Sequence, residues 1–183
     1  MSAWSQLQER IWRWQLGRFM RQRSTQRRTV AYDALRRMAV LYQADQPADV
    51  LAVQAFAEQH RREGREVTLM GFAQKAPENW PAERLLITAA DTNWFMRPRG
   101  EVVAAFLEQP VDLLVGAWTG SCLPLHWLAN ASQAAWRAGE NHPAKEDAAE
   151  LLLVLPDGQH TVKALLHQLD HYLPAIRTKV PKS

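Results

Sequence analysis

The chain has 183 residues, 47% hydrophobic and 22% charged, with one cysteine and a net charge of +3. These are the proportions of one globular domain of ordinary size, which buries about two thirds of its unfolded surface. They exclude an internal disulfide and an apolar run of the roughly 20 residues that span a bilayer. Glu9, Arg10, Arg13 and Arg18 also interrupt the N-terminus before a signal-peptide core can form, so a cytoplasmic location is expected.

The charge is unevenly placed. Residues 1–37 carry nine arginines against Glu9 and Asp33, a balance of +7, while the other 13 bases and 17 acids leave −4 for the remainder. A basic arm over 1–37 on a mildly acidic body over 38–183 points to an anionic partner for the arm. On a helical wheel Trp4, Leu7, Ile11 and Trp14 share one face, and Trp12, Leu16 and Phe19 an adjoining one. Arg10, Arg13 and Arg21 occupy the rest, and Gly17 weakens the middle. An apolar arc this wide must be buried against something. The stretch that follows, "RQRSTQRRT" (Arg21 to Thr29), is basic and poor in apolar residues.

From Met38 the pattern becomes alternating α/β. The apolar run Met38 to Tyr42 predicts a first buried strand. Asp45 or Gln46 followed by Pro47 starts a helix, with Val50, Leu51, Val53, Phe56 and Ala57 inward and Gly64 as the stop. "EVTLMGFA" is the second strand, and the two prolines of "KAPENWPAERL" mark a loop. "LLITAADTNWF" predicts a short strand ending near Ala90, and "RGEVVAAFLEQP" a helix of about ten residues stopped by Pro110. "VDLLVGAW" (Val111 to Trp118) is a strand followed by the turn "TGSC", and Pro124 opens a short helix through Ala131. "AAWRAGE" and "ELLLVLP" read as strands on either side of a polar connector. "TVKALLHQLDHYLPAI" closes the chain as an amphipathic helix with Leu165, Leu166, Leu169, Tyr172 and Leu173 inward. Strands alternating with helices predict one α/β domain: a doubly wound, three-layer, mostly parallel sheet of five or six strands, flavodoxin-like or half-Rossmann.

No complete catalytic motif accompanies this pattern. The turn after the first strand, "YQADQPADV", has no glycine, so neither a dinucleotide fingerprint nor a phosphate loop is present. "TGSC" is the nearest thing to a ligand turn, although Ser121 or Cys122 can equally cap the next helix. Cys122 and His126 lie four apart but lack a third orienting group, and His167 and His171 share a helix face without an acid motif. No metal and no cofactor are expected. Asp45 and Asp91 fall just after strands, at the edge where open α/β sheets hold ligands. With Arg97, Arg99, Thr119 and Ser121 they form the candidate small-ligand pocket, though helix capping by Asp45 and a turn between Asp91 and Asn93 serve equally. Asp112 opens its strand, at the opposite edge.

Asn93, Trp94, Phe95, then Asp112, Leu113, Leu114, then Pro124, Leu125 and Gly139 follow one another in an order that resembles an uncharacterised family of small Bacteroidota proteins. The resemblance covers most of the chain, the basic N-terminal helix included, and implies no activity. "DLLVGAW…LPLHWLANASQAAWRAG" is also similar to the N-terminal half of heptose-type glycosyltransferases, which implies shared doubly wound architecture, not shared function.

The arm has three functional readings. Arginines that neutralise phosphates beside tryptophans that pack or stack fit structured RNA, most naturally a ribosomal particle. The candidate RNA- or anion-binding residues are Arg10, Arg13, Arg18, Arg21, Arg23, Arg27 and Arg28. A peripheral membrane helix, or a component of a protein complex anchored by the same helix, is the alternative, and on a membrane it requires an uncovered apolar face. A nucleotide- or sugar-binding enzyme at the strand edge is the third. The helix can also pack over its own sheet or another protomer and show arginine only at its rim. The expected function is non-enzymatic binding, with RNA as partner.

Overall fold

Met38 to Tyr42, five apolar residues in succession, can only be covered if both faces of their strand are buried. They form the centre of the sheet. The computed structural model describes residues 10–18, 27–78, 80–81, 84–143 and 149–176. A helix α1 (10–18) precedes β1 (Arg37–Gln43), α2 (Pro47–Arg62), β2 (Glu66–Ala73), β3 (Leu85–Thr88), α3 (Glu101–Glu108) and β4 (Leu113–Ala117). Then come α4 (Leu123–Ala131), β5 (Trp136–Glu140), β6 (Leu151–Leu153) and α5 (Val162–Tyr172).

The six strands form one sheet in the order β3-β2-β1-β4-β5-β6, and every pairing is parallel. This is the six-stranded order of the dinucleotide-type doubly wound fold. Of the two arrangements expected from sequence, the flavodoxin-like order is excluded and the Rossmann one extends to both halves. Met38 pairs with Val67 on one side and Leu113 on the other, which places β1 and β4 at the point where the winding reverses.

Period-two alternation sorts side chains between two cores. Met38, Val40 and Tyr42 of β1, with Leu113 and Val115 of β4, face α2 and α5. Ala39 and Leu41, with Leu114, Met70 and Phe72, face α3 and α4. α1 joins this second layer through Trp12 and Leu16, both almost fully buried. The sheet also requires Gly116: a Cβ there would lie 2.7 Å from a ring carbon of buried Trp118. Gly116→Ala is therefore expected to cost about 1–3 kcal/mol of unfolding free energy by overpacking. A urea titration matching the wild type would show that the ring yields.

Several local expectations change. The last strand contracts from seven residues to three, and Leu51 on α2 (64% exposed) and Tyr172 on α5 (half exposed) face outward rather than inward. α2 is flanked by Gln46 with no side-chain cap, because the Asp45 carboxylate accepts instead from the Gln74 backbone N–H (2.9 Å). Cys122 stands at the N-cap of α4, without a side-chain cap bond. Asp91 bonds back to Thr88, not forward to Asn93: its carboxylate accepts from the Thr88 N–H and hydroxyl, both at 2.8 Å.

Candidate functional site

The two apolar faces of α1 have different fates. Trp12 and Leu16, one helical turn apart, point into the domain, whereas Trp14 is 58% exposed. The Trp12 ring lies 4.8 Å from His126 and 6.4 Å from Trp127, so α4 supplies its packing surface. With that side fixed, helical geometry turns Arg10, Arg13 and Arg18 to the exposed side. The Arg18 guanidinium sits 5.8 Å from the Trp14 ring. Trp4, Leu7, Phe19, Arg21 and Arg23 lie outside the described residues.

A second basic group reaches the same layer. The loop after β3 is closed by a bridge between Thr92 and Pro98 and by the Arg99 N–H donating to the Asp91 carbonyl (2.9 Å). Within it the Asn93 side-chain oxygen accepts from the N–H groups of Phe95 and Arg97, both at 3.0 Å. Met96 takes a left-handed φ of 59° to let the chain turn. These bonds hold Trp94 out from the loop, 65% exposed, and carry Arg97 back over Trp127, 4.8 Å from its ring centroid. Since Trp127 also contacts Trp12, the rings and Arg97 link α1 to this loop. A cleft of about 410 Å³ runs beside them, lined among others by Asn93, Arg97, Arg99, Val103 and Trp127.

Arg27 serves a different purpose. Its guanidinium donates to the carbonyl of Asn130 (3.2 Å), an orphan acceptor in the last turn of α4, and to that of Ala134 in the loop beyond it. Burial, reinforced by nearby Arg137 and opposed by Glu150, lowers its pKa to about 10, still charged at neutral pH. Arg28 is exposed, with its backbone N–H on the Ala135 carbonyl (2.8 Å). Of the arginines proposed from sequence, those on α1 and Arg28 thus present charge outward, and Arg27 braces the fold.

The pocket proposed at the strand edge is divided. Asp45 ties the turn after β1 to that after β2, and Asp91 stays at the end of β3. From β3 to β4 there are three strand spacings, about 14 Å, too far for Asp91 to share a small pocket with Thr119 through backbone proximity. Arg97 and Arg99 line the cleft beside Trp127 instead. Thr119 and Ser121 flank Gly120, whose N–H donates to the Glu140 carboxylate (3.0 Å).

Glu140 was not singled out from sequence, although it ends the strand "AAWRAGE" in the way that Asp45 follows the first. It is 3% exposed, and its other oxygen lies 3.3 Å from Nδ1 of His160. The carboxylate thereby joins the loops after β4 and β6, and it can orient an imidazole that is itself 54% exposed. Beneath this edge, burial pushes the Tyr42 phenol up to about 12, which keeps it neutral. Burial also raises the Asp49 carboxyl in the first turn of α2.

His126 is buried against Trp12, and His167 and His171 lie on the exposed face of α5. His60 is fully buried between α2 and α5: Arg65 donates to its Nδ1 (3.0 Å), so its Nε2–H donates to Asp170 (3.1 Å). Asp112, at the opposite edge, accepts from the N–H groups of Arg36 and Arg37 at 2.9 Å. Among the described residues no three His, Cys, Asp or Glu are placed to hold a metal ion, and no helix is long and apolar enough to cross a membrane.

Residues 8–176 match the model of a family of unknown function, DUF6913. No curated protein matches the chain. Among solved structures, E. coli heptosyltransferase WaaC with ADP is similar at 12% identity and a TM-score of 0.49 over 72% of this chain. That alignment covers 46% of the other chain, so this protein spans about half its length.

Proposed function

Because the chain belongs to DUF6913, a family of unknown function that supplies no activity to transfer, we propose from its surface chemistry that it is a non-enzymatic binding protein for structured RNA, a ribosomal particle being the natural setting. The observation that carries this reading is the docking of α1. Trp12 and Leu16 anchor it on α4, so Arg10, Arg13 and Arg18 stand on a surface of fixed shape beside the exposed Trp14. Phosphates pair with such arginines and release counterions, and a fixed helix loses less conformational entropy on binding than a loose tail. Arg97 and Arg99 extend the positive charge along the same layer.

The alternative of a helix on a membrane surface is less well supported. Such a helix needs its apolar stripe for the acyl boundary, and here Trp12 and Leu16 are covered by α4.

The test is fluorescence anisotropy with a labelled ribosomal RNA stem-loop over a salt series, backed by co-sedimentation with ribosomal particles. Substituting Arg10, Arg13 and Arg18 together by Gln is expected to weaken binding about tenfold or more at low salt. If each arginine pairs with one phosphate, the log–log salt slope should fall by about 2.7. Failure of the wild-type protein to bind RNA at low salt, or an unchanged slope in the variant, would overturn the proposal.

A further inference from the structure

The C-terminal edge of the sheet, where open α/β folds place their chemistry, carries one constellation that RNA pairing does not use. Glu140 ends β5 there with only 3% of its surface exposed. A carboxylate held so far from water is costly unless donors meet it. Here one oxygen accepts from the Gly120 N–H (3.0 Å), and the other faces Nδ1 of His160 (3.3 Å). Between a carboxylate and an imidazole the shared proton belongs with the imidazole, the stronger base. In the neutral ring that proton therefore stands on Nδ1, which leaves the lone pair on Nε2. The imidazole is 54% exposed, and its Nε2 has no partner among the described residues. His60 also meets a carboxylate, but it is fully buried with both nitrogens taken. His167 and His171 are exposed, but neither has a carboxylate partner among the described residues. His160 combines the two features.

We propose that His160 is a phosphoryl-acceptor site, whose Nε2 takes a phosphoryl group from a small activated donor such as an acyl phosphate or phosphoramidate. Glu140 is its positioning residue. The inference goes beyond the RNA reading and does not depend on it. In the step, the Nε2 lone pair forms a bond to phosphorus while the bond from phosphorus to the leaving group breaks. The leaving group departs with that electron pair, and Nδ1 keeps its proton. The ring gains positive charge as the new bond forms, and the Glu140 carboxylate faces it to offset that charge, as the acid does for histidine in hydrolytic triads. The second oxygen, fixed by Gly120, keeps the carboxylate from turning away. The surroundings also favour a phosphoryl group over a neutral acyl group. His160 immediately precedes Thr161, the N-cap of α5, and so stands at the positive end of that helix's peptide dipoles. A group that arrives with negative charge gains from this field.

The experiment incubates the full chain with phosphoramidate, a donor that needs no enzyme and releases ammonia. Mass spectrometry of the intact protein and its peptides then follows phosphorylation that is lost in acid and kept in alkali. His160 should react at least about tenfold faster than His167 and His171, the lower end of what a carboxylate that orients a histidine contributes. Phosphorus NMR should place the group on Nε2. Glu140→Gln removes one of the two acceptors and the charge, and should bring His160 down to the rate of the other two, with circular dichroism checking the fold. Equal labelling of His160, His167 and His171 would overturn the proposal, and so would phosphate on Nδ1; both are read on the wild-type protein alone. A folded Glu140→Gln variant that reacts at the wild-type rate would overturn the role of Glu140.

Discussion

Arg137→Ala is expected to lower unfolding free energy by about 3 kcal/mol, at the lower end of the range for breaking a buried ion pair. Arg137 is 6% exposed on β5, and its guanidinium spreads over several acceptors at once. It donates to Glu150 at 2.6 Å through Nη2 and at 3.2 Å through Nε, and to the Asn130 side chain at 2.8 Å through Nη1. The Arg137 backbone N–H adds a 2.7 Å bond to the same carboxylate. Truncation removes the charge that Glu150 and the end of α4 are built around. The value stays near the lower end because Glu150 is about a third exposed, so water partly replaces the lost partner. Arg137→Lys should recover little, since an ammonium cannot fork across both groups. Chemical denaturation gives the comparison, and a loss below about 1 kcal/mol would mean that the network is peripheral to stability.

The same pair fixes a pH dependence. Burial pushes the Glu150 carboxyl upward, but hydrogen bonds and the charge of Arg137 outweigh it and hold the pKa below the ordinary 4.5. A depressed carboxyl stabilises the fold above its unfolded pKa. That contribution falls away as pH drops below about 4.5, where the unfolded state binds the proton first. Glu150→Gln should flatten this part of the melting-temperature profile, and a profile identical to the wild type would refute the assignment.

Trp12→Ala is expected to cost about 2–3 kcal/mol and to undock α1. Removing a buried tryptophan typically costs about 3–5 kcal/mol. Here the indole N–H is itself buried without a hydrogen-bond partner among the described residues, a penalty that truncation relieves. Trp12→Phe should therefore keep most of the stability. The sheet and its other helices have their own core, so the loss should be local. Hydrogen exchange over residues 10–18 should accelerate in the alanine variant while β1 and β4 stay protected. RNA affinity should fall with it, because Arg10, Arg13 and Arg18 lose their fixed placement. Unchanged exchange over 10–18 would show that α1 is held by contacts other than Trp12.

Much of the fold was legible along the chain. The run Met38 to Tyr42, the helix from Pro47 toward Gly64 and the strand Glu66–Ala73 follow from local rules: a doubly buried strand must be apolar throughout, and proline and glycine mark where helices start and stop. The boundaries that moved were set by partners. The last strand keeps only the three residues that β5 can pair, and Tyr172 turns outward because Leu165, Leu166, Leu169 and Leu173 already fill the inner face. Its place before Pro47 fits Asp45 for a helix cap or a strand-edge ligand, but pairing of β1 with β2 brings the Gln74 N–H to its carboxylate.

The candidate site divides along the same line. Composition and spacing by themselves determined that the chain is one α/β domain with a basic, tryptophan-bearing N-terminal helix, because charge balance and hydrophobic period are local properties of a sequence. They also placed a carboxylate or hydroxyl after several strands. Only the tertiary structure decided which face of α1 is buried, that Arg27 braces α4 while Arg10, Arg13 and Arg18 stay exposed, and that Glu140 joins two loops. It also brought Arg97 onto Trp127 and thus into the layer of α1, across 30 residues of chain. Those facts depend on which surfaces pack together across the sheet, and packing is a relation between distant segments that no single stretch of sequence carries.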